Sequence, residues 1–360
     1  MMTRTPNVQR PTPRLFAFLL LGVGGWVLGV EAQQAAVRVL PVRGNVHVIQ
    51  GAGANLVVSV GRDGVLMVDT GVAERADQVI AAIRQLQRDL DLREPPVGFA
   101  AETRSSVAGR QTEAPPKPIR YILNTHVHPE QIGGNEKLRL AGRTITGGNV
   151  AGNIADAAEG AAILAHENVA LRMTTSGEAG VPPEALPTDT YFNDVMKMSH
   201  FFNGEGVQLV HVPAAHTDGD SLVYFRGSDV IAAGDIYSTV TYPVIDRQRG
   251  GTIDGVVRGL NKILDLSMAE FRTEGGTLVV PGQGRLSDSG DVAYYRDMVT
   301  KIRDRVAASI KKGMTLQQIQ ASRPSRDYDP RYAATAGPGT PDRFVEAIYR
   351  SLTQKPGGRS

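Results

Sequence analysis

Four short apolar runs in this sequence are each followed by residues that can bind a metal ion or move a proton. The runs, each with the residues after it, are 119–124 with His126 and His128, 208–212 with His216, 230–233 with Asp235, and 278–280 with Gln283. Short apolar runs are typical of buried strands. Because strand ends are rigid and converge at one rim of a sheet, the groups that follow them can meet around an ion.

The other segments of the chain alternate between strand-like and helical patterns. Further strands are predicted at 46–50, 55–60, 65–68, 161–164, 196–202 and 221–225, and helices at 165–173, 73–92, 291–311, 316–321 and 341–352. Mixed strands and helices without a long-period repeat predict a layered α/β fold. Two proline-bearing loops, 93–118 and 174–190, are expected to flank the substrate pocket and to set substrate choice.

The histidines have the spacing of a metal site. His126 and His128 share one loop, so both imidazoles can face the same point, and His216 arrives from a distant strand. Three neutral imidazoles and a water form an open catalytic zinc site. The chain has no cysteine, so any metal ligands must be histidine, carboxylate or amide groups. A His-x-His pair alone also fits a solvated loop, and it is the order of all four clusters that favours a metal site.

Taken together, these motifs resemble those of the metallo-β-lactamase fold superfamily. The matching segments, from about residue 45 to 285, are Asp69-Thr70-Gly71, residues 124–135 (NTHVHPEQIGGN), 215–220 (AHTDGD), 233–235 (AGD) and 281–284 (PGQG). The resemblance implies an αββα four-layer sandwich with a zinc site at the sheet edges, here followed by extra C-terminal helices. It also implies hydrolysis of small substrates.

The resemblance assigns roles to individual residues. His126, His128 and His216 match the first zinc site of the family. Asp235 matches the aspartate that binds or bridges the second metal, a position that is cysteine in one lactamase subclass, and that subclass is excluded here. Asp69 matches a buried aspartate that supports the site.

Three positions depart from the family's pattern. The family continues His-x-His-x-Asp-His and ends in Pro-Gly-His-Gly, whereas this chain has Glu130, Gln131 and Gln283 there. A glutamine offers only a neutral amide oxygen, which is a poor replacement for imidazole on zinc. We therefore predict one tightly held Zn²⁺ and a weak or empty second site. The Glu130–Asp235 pair could instead bind a harder ion such as Mg²⁺ or Ca²⁺.

The predicted activity is that of a zinc-dependent hydrolase. Water at a histidine zinc site can reach a pKa of about 7, and the resulting hydroxide would attack the carbonyl of a small amide, ester or lactone, β-lactams included. Glu130 and Asp235 are the candidates for orienting the water and moving its proton.

Two other functions remain open. A catalytically silent relative that binds a metabolite or a partner is favoured by Gln131 and Gln283 and disfavoured by the intact histidine set. An oxidoreductase with a di-iron site is the less favoured, because such a centre needs both metal sites filled.

The first 32 residues have the pattern of a signal peptide. Arg4, Arg10 and Arg14 precede an apolar run at 15–30, and cleavage is predicted near Ala32. The alternative, a membrane anchor, needs about 20 apolar residues, and this run is shorter and interrupted by four glycines. We therefore expect export, either to a periplasm or outside the cell, with no stable membrane anchor after cleavage.

Charge argues against nucleic acid as a partner and leaves a small-molecule substrate. Removal of residues 1–32 lowers Lys plus Arg from 39 to 36 and Asp plus Glu from 37 to 36, so the mature chain is neutral. Nucleic-acid binding relies on an excess of positive charge. The oligomeric state stays open.

The mature chain is predicted to form one domain with a helical extension. Residues 33–288 are assigned to the metallo-β-lactamase-like domain and residues 289–360 to C-terminal helices packed on it. Those helices could form a cap or a dimerisation element, but a layer over the sheet is the favoured interpretation. Of the remaining histidines, His47, His200 and His211 are interpreted as packed or surface residues, and His166 could approach the pocket rim.

Overall fold

The computed structural model describes residues 36–92, 116–143, 160–175, 181–198, 200–267 and 275–354. The predicted signal peptide and residues 93–115 of the first predicted loop lie outside these ranges. Among the described residues, no helix combines the length and the apolar character needed to cross a membrane.

The first sheet has seven strands in sequence order. They are β1 Arg38–Arg43, β2 Val46–Gln50, β3 Leu56–Gly61, β4 Gly64–Val68, β5 Ile119–Leu123, β6 Ala162–His166 and β7 Asp189–Tyr191. Strands β1 to β4 pair antiparallel through short turns, and β4 to β7 pair parallel. Parallel neighbours need crossover connections, which here carry helices.

The second sheet has six strands in the order β13-β12-β11-β10-β9-β8. Their bounds are β8 Val195–Lys197, β9 Val207–His211, β10 Ser221–Phe225, β11 Val230–Ala232, β12 Leu278–Val280 and β13 Ser287–Asp288. Only β11 and β12 pair parallel in this sheet as described.

Helices cover the outer face of each sheet. Their bounds are α1 Ala76–Asp89, α2 Pro129–Ile132, α3 Asn135–Leu140, α4 Glu167–Thr175, α5 Ile253–Ser267, α6 Ser289–Lys311, α7 Leu316–Ala321, α8 Asp329–Tyr332 and α9 Pro341–Thr353. Short 3₁₀ turns lie at Ala73–Arg75, Pro183–Ala185 and Gly234–Ile236. The chain therefore has helix, sheet, sheet and helix layers.

Alternation along the strands explains how the layers hold together. In β3, Val57 joins the core between the two sheets, while Val58 packs toward α1 on the outer face. In β4, Leu66 and Met67 divide in the same way. Because successive strand residues face opposite sides, a strand buried on both faces must be apolar throughout. The layered α/β fold predicted from the strand and helix patterns is thus confirmed, as is the αββα sandwich that the resemblance implies.

The extra C-terminal helices are present and share a core with the second sheet. Buried residues of α6 and α9, such as Met298 and Phe344, belong to the same apolar cluster as Leu222 and Ile231 of the sheet. Helix α6 begins directly after Asp288, whose carboxylate accepts a hydrogen bond from the Asp291 amide at 3.0 Å. The boundary predicted between residues 288 and 289 stays a prediction.

The sequence patterns missed several elements, among them β1 and α5. Strand β1 was not predicted, since its half-exposed residues do not form an apolar run. Helix α5 was also missed, although its buried residues recur at helical spacing, because Gly255 and Gly259 weaken the pattern. A Cβ on Gly255 would lie 1.6 Å from the Ala214 carbonyl oxygen, so this glycine lets α5 approach the backbone just before His216.

Candidate metal centre

The four polar clusters lie at strand ends along one rim of the two sheets. His126 and His128 follow β5, His216 follows β9, and Asp235 follows β11. The ring nitrogens of His126, His128 and His216 that could ligate a metal all lie within 4.8 Å of one another. His128 Nδ1 and His216 Nε2 are 2.8 Å apart. The fold thus gathers residues separated by 90 positions into one cluster, which we call the histidine cluster.

A relay from the first sheet orients His126. The Nδ1 of His126 lies 3.1 Å from the Thr125 hydroxyl, which donates to Asp69 Oδ2 at 2.7 Å. The Thr125 amide also donates to Asp69 Oδ1, at 2.8 Å. Asp69 therefore acts on His126 through Thr125 rather than by touching it. With Nδ1 engaged, Nε2 of His126 turns toward the cluster, where it is buried and has no hydrogen-bond partner among the described residues.

The other two imidazoles are oriented in the same manner. His216 Nδ1 donates to the Val244 carbonyl at 2.8 Å, which leaves Nε2 facing the cluster. His128 Nε2 donates to Asp246 Oδ2 at 2.9 Å, which leaves Nδ1 facing inward. Hydrogen bonds that fix the outer nitrogen of a ligating histidine are a general property of metal sites.

Asp246 was not predicted from the sequence. Arg249 donates to its Oδ2 at 2.9 Å, and the Arg249 amide donates to Oδ1 at the same distance. The hydrogen bonds from His128 and Arg249 lower the pKa of Asp246 despite its burial. The residue lies in a loop without periodicity, so no sequence signal marked it.

Charge around the cluster suits a cation. Burial, together with the neighbouring imidazoles and Arg249, holds the pKa of His126 well below its ordinary value, so this ring is neutral and can ligate. Burial also acts to lower the pKa of His216, but the carboxylates of Asp220 and Asp235 outweigh it and raise that pKa. The same carboxylates would stabilise a bound metal ion. The orphaned Nε2, the three convergent nitrogens and this negative field together fit a metal ion.

Asp235 lies beside the cluster, held by a glutamine. Its Oδ2 is 3.8 Å from His126 Nε2 and 3.9 Å from His216 Nε2, whereas its Oδ1 accepts from Gln131 Nε2 at 3.0 Å. Burial, with the charge of Glu130, raises the pKa of Asp235. Gly282 leaves room for the carboxylate, since a Cβ there would lie 2.0 Å from Asp235 Oδ1.

The remaining second-site positions are spread out. Gln131 is fully buried, and its Oε1 has no hydrogen-bond partner among the described residues. Glu130 is half-buried on the cleft wall, and Gln283 is exposed on the same wall. One amide N–H already donates to Asp235, and no imidazole is present. These residues do not fit a second zinc ion.

A cleft of about 1160 Å³ opens onto the cluster. Besides His128, Glu130, His216, Asp235 and Gln283, its wall consists of residues 238 and 241–248 and of C-terminal residues between 334 and 350. The expectation that loop 174–190 flanks the pocket is wrong for its described part, because none of residues 174–175 and 181–190 lines this cleft. Residues 93–115 of the other loop lie outside the described residues.

The histidines not assigned to the site lie elsewhere. His166 is buried and stacks on His211, with ring centroids 3.6 Å apart and an interplanar angle of 7°. Neither ring lines the cleft in the part of the chain that the structure describes. His47 is a buried residue of β2, and His200 contacts the Tyr121 ring.

A family model agrees with the fold described above. A family model described as "Metallo-beta-lactamase superfamily" matches residues 44–283, which is two thirds of the chain. Curated protein sequences give no match. Among solved structures, the metallo-beta-lactamase from Pontibacter korlensis is 12% identical, with a TM-score of 0.48, over 73% of this chain and 99% of its own.

A second solved structure covers more of this chain. The stereoselective inverting sec-alkylsulfatase Pisa1 from Pseudomonas sp. is 15% identical, with a TM-score of 0.55. The match covers 88% of this chain but only 50% of the sulfatase, so the present chain corresponds to about half of that protein. At this identity the likeness is one of fold.

Proposed function

The chain belongs to the metallo-beta-lactamase superfamily, and we propose that it is a zinc-dependent hydrolase that attacks the carbonyl of a small amide, ester or lactone. One observation carries the proposal: His126, His128 and His216 each have their outer ring nitrogen engaged, so that the other three nitrogens converge within 4.8 Å. Such preorganisation is expected where a metal must be held rigidly.

The three imidazoles would hold one zinc ion and leave a position open. Zinc bound to three histidines lowers the pKa of a water molecule to about 7 and polarises a substrate carbonyl. The second site would stay weak or empty, because Gln131 and Gln283 offer no imidazole.

Asp235 is the residue best placed to move a proton. Its Oδ2 lies near the open side of the cluster, and the hydrogen bond from Gln131 to Oδ1 fixes the orientation of the carboxylate. In this arrangement the Gln131 amide N–H occupies the Asp235 oxygen that a second cation would otherwise bind. Glu130, on the cleft wall, is the candidate for accepting that proton or for orienting the leaving group.

The proposal includes export and a narrow range of partners. A cleaved signal peptide would deliver the enzyme to a periplasm or to the medium, where β-lactams and other small compounds arrive. The N-terminal residue of the protein from fractionated cells tests this part. A start at Gln33 supports cleavage, and a start at Met1 contradicts it.

A hydrolysis panel tests the proposed activity. The purified protein, with its metal content measured, is assayed on a β-lactam, a lactone, a carboxylic ester and a secondary alkyl sulfate. We expect turnover of at least one carbonyl compound and its loss in His128→Ala, while His200→Ala, a matched substitution outside the cleft, keeps it. Full metal content without turnover of any compound would instead support the silent binding protein, and turnover of the alkyl sulfate alone would overturn the carbonyl assignment.

A further inference from the structure

One wall of the cleft comes from a part of the chain beyond the family match. Arg343, Glu346, Ala347 and Arg350 of α9 all line the cleft. Their spacing of three and four residues places them on one face of the helix. This face lies outside residues 44–283, so the superfamily's shared motifs do not account for it.

This wall carries an excess of positive charge. Arg343 Nη1 lies 3.3 Å from Glu346 Oε2, and Arg350 Nη2 lies 2.6 Å from Glu346 Oε1, so two guanidinium groups share one carboxylate. Arg247 lies in the loop between Asp235 and α5, and it lines the same cleft. We call Arg247, Arg343 and Arg350 the basic wall.

Two cations of the basic wall, Arg247 and Arg350, are close enough for the charge of one to act on the other. Burial and the charge of Arg350 together lower the pKa of Arg247, although guanidinium groups stay protonated at any physiological pH. Arg247 also donates to the Gln354 carbonyl at 3.2 Å, which fixes the side chain beside the end of α9. Two guanidinium groups that share one carboxylate give the α9 face a net positive charge in the cleft, which is favourable for binding an anion.

The other parts of the cleft differ in character. The end at the histidine cluster carries Glu130 and Asp235, whereas apolar groups of Val244, Ile245 and Ala347 line the cleft as well. A ligand in this cleft would meet a cation site with acids, an apolar surface and a basic surface. Few polar groups set in an apolar lining are what orient a ligand in a pocket.

We propose that the basic wall binds a singly charged oxyanion on the substrate, a carboxylate or a sulfate, and that an apolar chain links this anion to the carbonyl held at the histidine cluster. The part of this inference that places a carbonyl at the histidine cluster rests on the proposed function. The first half of the inference, anion binding by α9 and Arg247, stands on the charges alone. The substrate class is therefore an anionic, amphipathic ester, amide or lactone.

Binding of a non-hydrolysable anion tests the first half. Hexane-1-sulfonate and hexanoate are titrated calorimetrically into the full chain as purified. We expect Arg350→Gln, which removes the charge and keeps a polar side chain, to weaken binding about tenfold. Glu346→Gln, which releases both guanidinium groups from their carboxylate, should strengthen binding severalfold. Arg226→Ala, an exposed arginine outside the cleft, should change nothing.

The two probes also separate the two sources of the anion. If Arg350→Gln weakens the binding of both probes, the proposal is supported and the basic wall accepts either oxyanion. If it weakens the binding of only one, the proposal is supported and that probe identifies the oxyanion. Binding that is lost in His128→Ala but kept in Arg350→Gln places the anion at the histidine cluster and overturns the proposal. No binding of either anion also overturns it.

Paired substrates distinguish this inference from the proposed function. A methyl ester with a terminal carboxylate is compared with the same ester ending in a neutral amide. We expect kcat/KM to favour the anionic ester about tenfold, and Arg350→Gln to remove the preference by raising KM. Equal turnover of the two esters contradicts the inference and leaves the proposed function standing. Sulfonate binding that depends on Arg350, without turnover of either ester, contradicts the proposed function and leaves anion binding by the basic wall standing.

Discussion

The histidine cluster and the second-site positions lie on either side of Asp235, and they differ in how their side chains are held. In the histidine cluster, each ring is fixed from behind, by Thr125, Asp246 or a carbonyl, and faces inward. At the neighbouring second-site positions, Gln131 is buried and bonded to Asp235 while Gln283 is exposed. Ligands that are held rigidly favour a metal, since little entropy is lost on binding. The contrast supports the proposal that this rim holds one ion rather than two.

The largest effect is expected from the histidine cluster itself. His216→Ala removes one of three imidazoles and should abolish stoichiometric metal binding, with a fall in kcat/KM of roughly 10³-fold. Metal analysis of the purified variant, alongside its circular dichroism, checks this. Wild-type metal content in a folded His216→Ala protein would show that the histidine cluster does not hold the metal.

The second largest effect is expected from Asp246, which accepts a hydrogen bond from the outer nitrogen of His128. Asp246→Ala leaves His128 Nε2 without its acceptor and should weaken metal affinity roughly 10- to 100-fold. Asp246→Asn, which keeps an acceptor oxygen, should lose less. Competition against a chelator measures the affinities, and Asp218→Ala, which breaks the 2.7 Å ion pair with Arg172, serves as the matched control. Equal affinities in Asp246→Ala and wild type would show that this carboxylate does not position the ring.

Gln131 tests the second-site positions. Gln131→Leu keeps similar volume but removes the hydrogen bond to Asp235, so kcat should fall about tenfold while metal content stays at one equivalent. A pH–rate profile is measured in parallel, because a released Asp235 carboxylate should move its acidic limb. If metal content falls together with kcat, Gln131 contributes to metal binding, and the claim that the second-site positions hold no ion is wrong.

Gln283 should give the smallest effect. Its side chain is exposed on the cleft wall, so Gln283→Ala should change kcat/KM by less than about twofold. The same substrate assay measures this. A loss comparable to that of Gln131→Leu would mean that Gln283 contacts the substrate or an ion.

Part of this organisation could be predicted from the sequence. Apolar runs such as 65–68 predicted strands, and strands mixed with helices predicted the layered fold, which is confirmed. The convergence of His126, His128 and His216 was predicted from their places after strands. Their role as metal ligands stays a prediction that the geometry supports.

Other features depend on packing that no local pattern records. Asp246 reaches His128 from 118 residues away, out of an irregular loop. Residues of α9 line the cleft because the helix packs on the second sheet, and its amphipathic pattern predicts only that one face is buried. Gly255 has no side chain, which weakened the helical pattern of α5 in the sequence. The fold needs a glycine there because α5 approaches the Ala214 backbone closely.

Anomalous diffraction from crystals of the protein grown with zinc tests the central claim most directly. The account predicts one strong anomalous peak per chain, about 2.0–2.1 Å from His126 Nε2, His128 Nδ1 and His216 Nε2. Gln131 should still donate to Asp235 in the same map. A second peak of comparable height between Asp235, Gln131 and Gln283, or no peak at the three histidines, would contradict it.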